Sequence, residues 1–97
     1  MKIVKIAEVK NGMRNVSLKG KIVEIFEVKQ VYTRYGRKEV ANATLKDDSG
    51  EIILTLWESQ IDMVSPGDNV KIEGAFITEF KGKLQVNVPR SGKIEVI

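Results

Sequence analysis

The sequence predicts an all-β fold, a small closed barrel built from five strands around one core. Two observations carry that expectation. Apolar and polar residues alternate over strand-length segments separated by Gly, Pro, Asn and Asp clusters, and no stretch keeps a helical period for three turns. The first strand-like segment, Val16 to Val28, is also too long and too irregular to be one flat strand.

Ile3 to Val9 is a short apolar-polar segment, closed by the turn Lys10-Asn11-Gly12-Met13. From Val16 the alternation runs through Leu18, Gly20 and Ile22, then breaks at Ile22-Val23 and Ile25-Phe26. A glycine followed by a phase shift predicts a bulge or bend, so that one strand serves two sheets. Val31 to Lys38 reads as a loop with Gly36 as its breaker. Val40 to Lys46 is the second strand, with Ala41, Ala43 and Leu45 on one face and Val40, Asn42 and Thr44 on the other. Asp47-Asp48-Ser49-Gly50 is hairpin chemistry, which accounts for the adjacent carboxylates without acid-base catalysis.

The third strand, Glu51 to Trp57, alternates strictly. Ile52, Leu54 and Leu56 share one face, and Ile53, Thr55 and Trp57 the other. Glu58 to Ser65 is a connector with room for one helical turn, and Pro66-Gly67-Asp68 suits a type II turn. Asn69 to Thr78 forms the fourth strand, Glu79 to Gly82 a short loop, and Lys83 to Val88 the fifth strand, with Leu84, Val86 and Val88 inward. Pro89 to Gly92 turns again before a short last strand, Lys93 to Ile97. A bent first strand and a short connector in place of a long helix between strands three and four best fit a Greek-key OB-fold barrel. An SH3-like barrel, with shorter strands, is the rival.

At 97 residues the chain has room for a single domain, and 42% hydrophobic with 30% charged residues is a composition that folds. It contains neither Cys nor His, which removes thiol and imidazole catalysis and most zinc and iron sites; no metal or cofactor is expected. Absence of Cys fits a cytoplasmic setting. Met1 to Lys5 interleaves Lys with apolar residues, unlike a signal peptide, and no apolar run is long enough to span a membrane. The net charge of +3 is a weak pointer to polyanions, but its distribution is sharper. Lys29, Arg34, Arg37 and Lys38 form one cluster, and Lys81, Lys83, Arg90 and Lys93 another, while acids gather at Asp47, Asp48, Glu51, Glu58, Asp62 and Asp68.

The only tryptophan, Trp57, lies off the aliphatic face of its strand, as a platform for a flat ligand or as a cap on the barrel rim. Phe80 sits at a loop tip beside Lys81. Strand parity counted from Val70 and Ile72 turns Phe76 inward, unless Gly74-Ala75 carries a bulge that reverses it. Tyr32 and Tyr35 flank Arg34 within the basic segment, a composition that grips a sugar-phosphate backbone while offering π faces.

The string Asp48-Ser49-Gly50-Glu51-Ile52-Ile53-Leu54-Thr55-Leu56-Trp57 resembles the hairpin and third strand of archaeal single-stranded-DNA-binding proteins and archaeal replication protein A. Pro66-Gly67-Asp68-Asn69-Val70-Lys71-Ile72, Gly74-Ala75-Phe76, Phe80-Lys81-Gly82-Lys83-Leu84 and the opening Lys10-Asn11-Gly12-Met13 extend the likeness over nearly the whole chain. The resemblance implies a non-catalytic OB-fold that binds single-stranded DNA through Trp57, Phe76 and Phe80, and it supports the bulge. Basic residues and Thr55 would complete the contact, with other OB domains or replication and repair proteins as further partners. In this family the Phe76 position often holds Trp. The chain also ends at Ile97 without the Gly-rich or acidic tail of single-domain members, so one module of a longer multi-domain protein is expected. An OB-type protein-interaction module and an RNA- or tRNA-binding accessory domain are the alternatives.

Overall fold

The structure, a computed structural model, describes residues 3–97; Met1 and Lys2 of the amino-terminal segment lie outside the described residues. A 3-10 turn, Ile6–Glu8, precedes the strands β1 (Val16–Ile25), β2 (Lys29–Thr33), β3 (Gly36–Asp47) and β4 (Gly50–Trp57). One helical turn, α1 (Gln60–Met63), leads to β5 (Asn69–Phe80), β6 (Lys83–Asn87) and β7 (Lys93–Val96). Five of these strands close a ring in the order β1-β3-β4-β6-β5, with β5 pairing back to β1. All the ring pairings are antiparallel except β4 with β6. This is the expected OB-fold barrel, with β2 added to β3 and β7 added to β5.

The bend in β1 makes closure possible. Val16 to Lys21 pairs with β5, and Lys21 to Ile25 pairs with β3, so the strand is shared between the two halves of the ring. Gly20 marks the crossing, where a Cβ would stand 2.8 Å from the Lys46 carbonyl oxygen. A register shift between Ile22 and Glu24 follows at once, which is the phase shift seen in the sequence. Inside the ring Leu18, Ile22, Leu45, Leu54, Leu56, Val70, Ile72 and Val86 are fully buried. Each side chain of this kind contributes roughly 1.5–3 kcal/mol relative to exposure.

Asp47 fastens the amino-terminal segment across the barrel. One carboxylate oxygen accepts from the Ser49 hydroxyl (2.6 Å) and from the Ser49 and Gly50 N–H groups; the other accepts from Ile6 N–H at 2.9 Å. Desolvation pushes this carboxyl up, but those donors together outweigh it and hold it below the ordinary value. The expected turns at 10–13 and 66–68 are present, the second starting one residue earlier at Ser65. Met13 N–H donates to the Lys10 carbonyl, and Asp68 N–H to the Ser65 carbonyl with Gly67 at φ 96°.

Three expectations are corrected. Residues 31–38 are not a loop: β2 and the start of β3 form a hairpin with Tyr32 opposite Arg37, closed by the turn Thr33 to Gly36. Val31, Tyr32 and Thr33 are strong strand formers, and their charged neighbours disguised the alternation. The second strand accordingly begins at Gly36 rather than Val40. Finally, β5 runs on to Phe80, which pairs with Lys83, so Phe80 ends a strand, and the supposed loop 79–82 shrinks to Lys81-Gly82. Both turn residues have positive φ (52° and 79°), the pattern of a type I′ turn.

Candidate nucleic-acid interface

Register brings residues from separate strands into one row on the outer face of the ring. Asn42 of β3 lies opposite Thr55 of β4, Thr55 opposite Asn87 of β6, and Asn87 opposite Phe76 of β5. The next row runs Thr44, Ile53, Gln85 and Thr78. Thr55 is only 6% exposed, and its hydroxyl lies 3.5 Å from Asn42 Oδ1. Asn87 Nδ2 donates to Thr78 Oγ1 at 3.0 Å. The centre of the face is therefore a polar, hydrogen-bonded floor with aromatic side chains on either side. Sequence reasoning singled out neither Gln85 nor Asn87. The alternation Leu84-Gln85-Val86-Asn87-Val88 contained the signal, since inward Leu and Val force Gln85 and Asn87 outward.

Trp57 ends β4 opposite Val40 and is half-buried. Its backbone N–H donates to Gln60 Oε1 (2.9 Å), and Gln60 Nε2 donates to the Val88 carbonyl (2.8 Å). A single side chain from α1 thus ties the end of β4 to the chain leaving β6. Glu58, the next residue, has φ 51° and donates its N–H to the Glu39 carbonyl. The indole is mounted on backbone fixed from both directions, which lowers the ordering cost of any contact it makes.

On the far side of the floor, β5 carries the bulge that the glycine suggested. Val16 pairs with Ala75 and Leu18 with Ile72, so Glu73 and Gly74 together oppose Ser17. Gly74 adopts φ 72°. Ile72, Ala75 and Ile77 consequently face the core, while Phe76 is turned outward and is 37% exposed. Thr78 and Phe80 follow on the same face, with Phe80 at 60% exposure. The Lys81 ammonium lies 5.3 Å from the centre of the Phe80 ring, within cation-π range, and Lys83 stands directly opposite Phe80.

The β2–β3 hairpin separates the remaining candidates. Lys29 pairs with Val40 and Val31 with Lys38, which puts Lys29, Val31 and Lys38 on the face that carries Trp57. Tyr32 and Arg37 alternate to the opposite face of the hairpin, and Arg34 and Tyr35 occupy its turn. Tyr32 is 84% exposed, which fits a ring with no place in the core. Lys38 is held by Glu58, 3.6 Å from its carboxylate. Among the described residues no ion pair engages Lys29, Arg34, Arg37, Lys81 or Lys83.

A five-stranded ring closed by one parallel pair, with a curled first strand and an open polar and aromatic outer face, defines an OB-fold with a candidate single-strand groove. The chain belongs to the OB-fold family of Ssb-like single-stranded DNA binding proteins, whose family model matches residues 2–96. It is 33% identical over 90 residues to the single-stranded DNA binding protein Ssb of Saccharolobus solfataricus, a match covering 93% of this chain and 61% of that protein. It is 31% identical over 98 residues to replication factor A of Methanothermobacter thermautotrophicus, covering 94% of this chain and 12% of the relative. The solution structure of an OB domain from Thermoplasma acidophilum superposes with a TM-score of 0.86 at 29% identity, over 98% of this chain and 86% of that one. The chain thus spans less than two thirds of the length of either curated relative.

Proposed function

We propose that this domain binds single-stranded DNA without catalysis and with little sequence preference, as one OB module of a longer protein acting in replication, repair or recombination. Bases stack on Trp57, Phe76 and Phe80, Thr55 lies in the floor between them, and Lys29, Arg34, Arg37, Lys38, Lys81 and Lys83 meet the phosphates. Tyr32 and Tyr35 add π faces at the hairpin. The observation that carries the proposal is the single outer face on which Trp57, Thr55, Phe76 and Phe80 converge although they lie on two strands that do not pair with each other and are bridged by β6.

Stacking contributes about 1–3 kcal/mol per base in OB-folds of the SSB and replication protein A kind, and it tolerates any base because each has a π face. Part of that gain is lost in ordering a flexible strand, so an isolated module binds weakly and gains from tandem linkage to other OB domains. Titration with oligo-dT, oligo-rU and a duplex of equal length, followed by Trp57 fluorescence, tests the proposal. Quenching by the single strand, reduced by salt and absent with duplex, is expected. Stronger quenching by oligo-rU would favour an RNA reader. No response to any nucleic acid would overturn the proposal and favour a protein-interaction module.

A further inference from the structure

We infer that Phe26 is a further base-stacking residue, seating the nucleotide at the opposite end of the groove from Phe76; the inference rests on the single-strand reading above. Ile25 pairs with Ala43, and the next residue, Phe26, donates its N–H to the Asn42 carbonyl at 2.8 Å. The β1–β3 register therefore continues one step beyond β1 and sets Phe26 opposite Asn42. Asn42 begins the outer-face row, which becomes Phe26, Asn42, Thr55, Asn87 and Phe76 across all five strands of the ring. Adjacent strands stand about 4.8 Å apart, so the row measures roughly 19 Å along the sheet, with an aromatic ring at each end and polar side chains between.

Burial agrees with this placement. Ile25 packs against the core, alternation turns Phe26 away from it, and Phe26 is 49% exposed. Its ring belongs neither to the buried cluster nor to the partly buried residues packed on that cluster. The basic hairpin starts three residues later at Lys29, which supplies a cation where a strand leaving Phe26 carries its phosphate. Lys29 pairs with Val40, two residues along β3 from Asn42, so the register sets this cation on the same face one step beyond Phe26, as Lys81 follows Phe80 at the other rim.

The test compares the wild-type domain with Phe26→Ala and Phe26→Tyr on oligo-dT of about three to eight nucleotides, reading affinity through Trp57 fluorescence and stability by thermal unfolding. Phe26→Ala is expected to lose about fivefold to thirtyfold affinity for the longer oligomers and almost none for the shortest, while Phe26→Tyr restores it. Equal affinity of Phe26→Ala and wild type at every length, with wild-type quenching intact, overturns the role of Phe26 and leaves single-strand binding standing. A uniform loss at all lengths with a lowered melting temperature overturns it in favour of rim packing. Absence of wild-type quenching at every length overturns the single-strand reading itself, and Phe26 with it.

Discussion

At the residue scale, the contact role of Trp57 separates cleanly from a structural one. Its ring is half-buried, so truncation removes some packing as well as a stacking surface. Trp57→Ala is expected to cost about 1 kcal/mol of stability, a shift of roughly 4–8 °C for a domain of this size. Its effect on oligo-dT affinity should be larger, about fivefold to thirtyfold. A sharp fall in melting temperature with unchanged affinity would instead make Trp57 a cap on the barrel. The neighbouring Glu58 acts in the other direction, because its carboxylate occupies Lys38 beside the groove. Glu58→Gln releases that ammonium to phosphate and removes a repulsive charge. Affinity for oligo-dT at low salt should rise about twofold to threefold, with the gain fading as salt screens it.

At the element scale, the bulge in β5 decides whether a third aromatic reaches the interface at all. Gly74 sits at φ 72°, and a Cβ there would lie 3.2 Å from the Gly92 Cα, so both conformation and space favour glycine. Gly74→Ala is expected to destabilise the domain by about 1–2 kcal/mol in urea unfolding and to weaken oligo-dT binding by re-aiming Phe76. Asp47 plays the corresponding part for the amino-terminal turn. Its carboxyl is held below its ordinary value, so the stability it adds is present above the unfolded-state pKa near 4 and vanishes as pH falls through the lower folded value. Asp47→Asn should therefore cost about 1–2 kcal/mol at pH 7 and progressively less below pH ~4, as read by thermal unfolding across that range. These elements also show what the sequence made legible. Strict alternation at 52–56 revealed β4, and a glycine followed by a phase shift revealed the bend in β1. In β5 parity alone turned Phe76 inward, and Gly74-Ala75 offered the bulge only as a condition that the family resemblance supported. The β2–β3 hairpin was hidden because its strand formers, Val31 to Thr33, are a run of three flanked by polar and cationic residues and a glycine that resemble a loop. Phe26 showed in the sequence only as a break in alternation, because its place in the outer-face row depends on the pairing register with β3, a non-local fact that composition does not carry.

At the scale of the whole molecule, the distribution of charge across the ring sets how binding responds to salt. Lys29 and Lys38 border the groove at the Trp57 side, and Lys81 and Lys83 border it at the Phe80 side, with Arg34 and Arg37 on the projecting hairpin. Among the acids, Asp47 and Asp48 are occupied by the amino-terminal segment through Ile6 N–H and the Lys5 ammonium, whereas Glu24 and Glu51 stand on this outer face through their pairing with Thr44 and Lys46. A single strand crossing the face as proposed would meet ~3–5 phosphates' worth of these cations, and each neutralised phosphate contributes roughly −0.7 to the slope of log K against log salt. The slope for the isolated domain should fall at about −2 to −3.5, the shallow value expected where the proposed stacking supplies much of the affinity. Paired charge reversals sort the two rims. Lys81→Glu with Lys83→Glu should flatten the slope by about 1.4 and weaken oligo-dT and oligo-rU alike, since phosphate contacts do not read the base. A slope unchanged by that double reversal would place the strand's path along the β2–β3 hairpin alone, and matching reversals at Lys29 and Lys38 would then flatten the slope by about 1.4 instead.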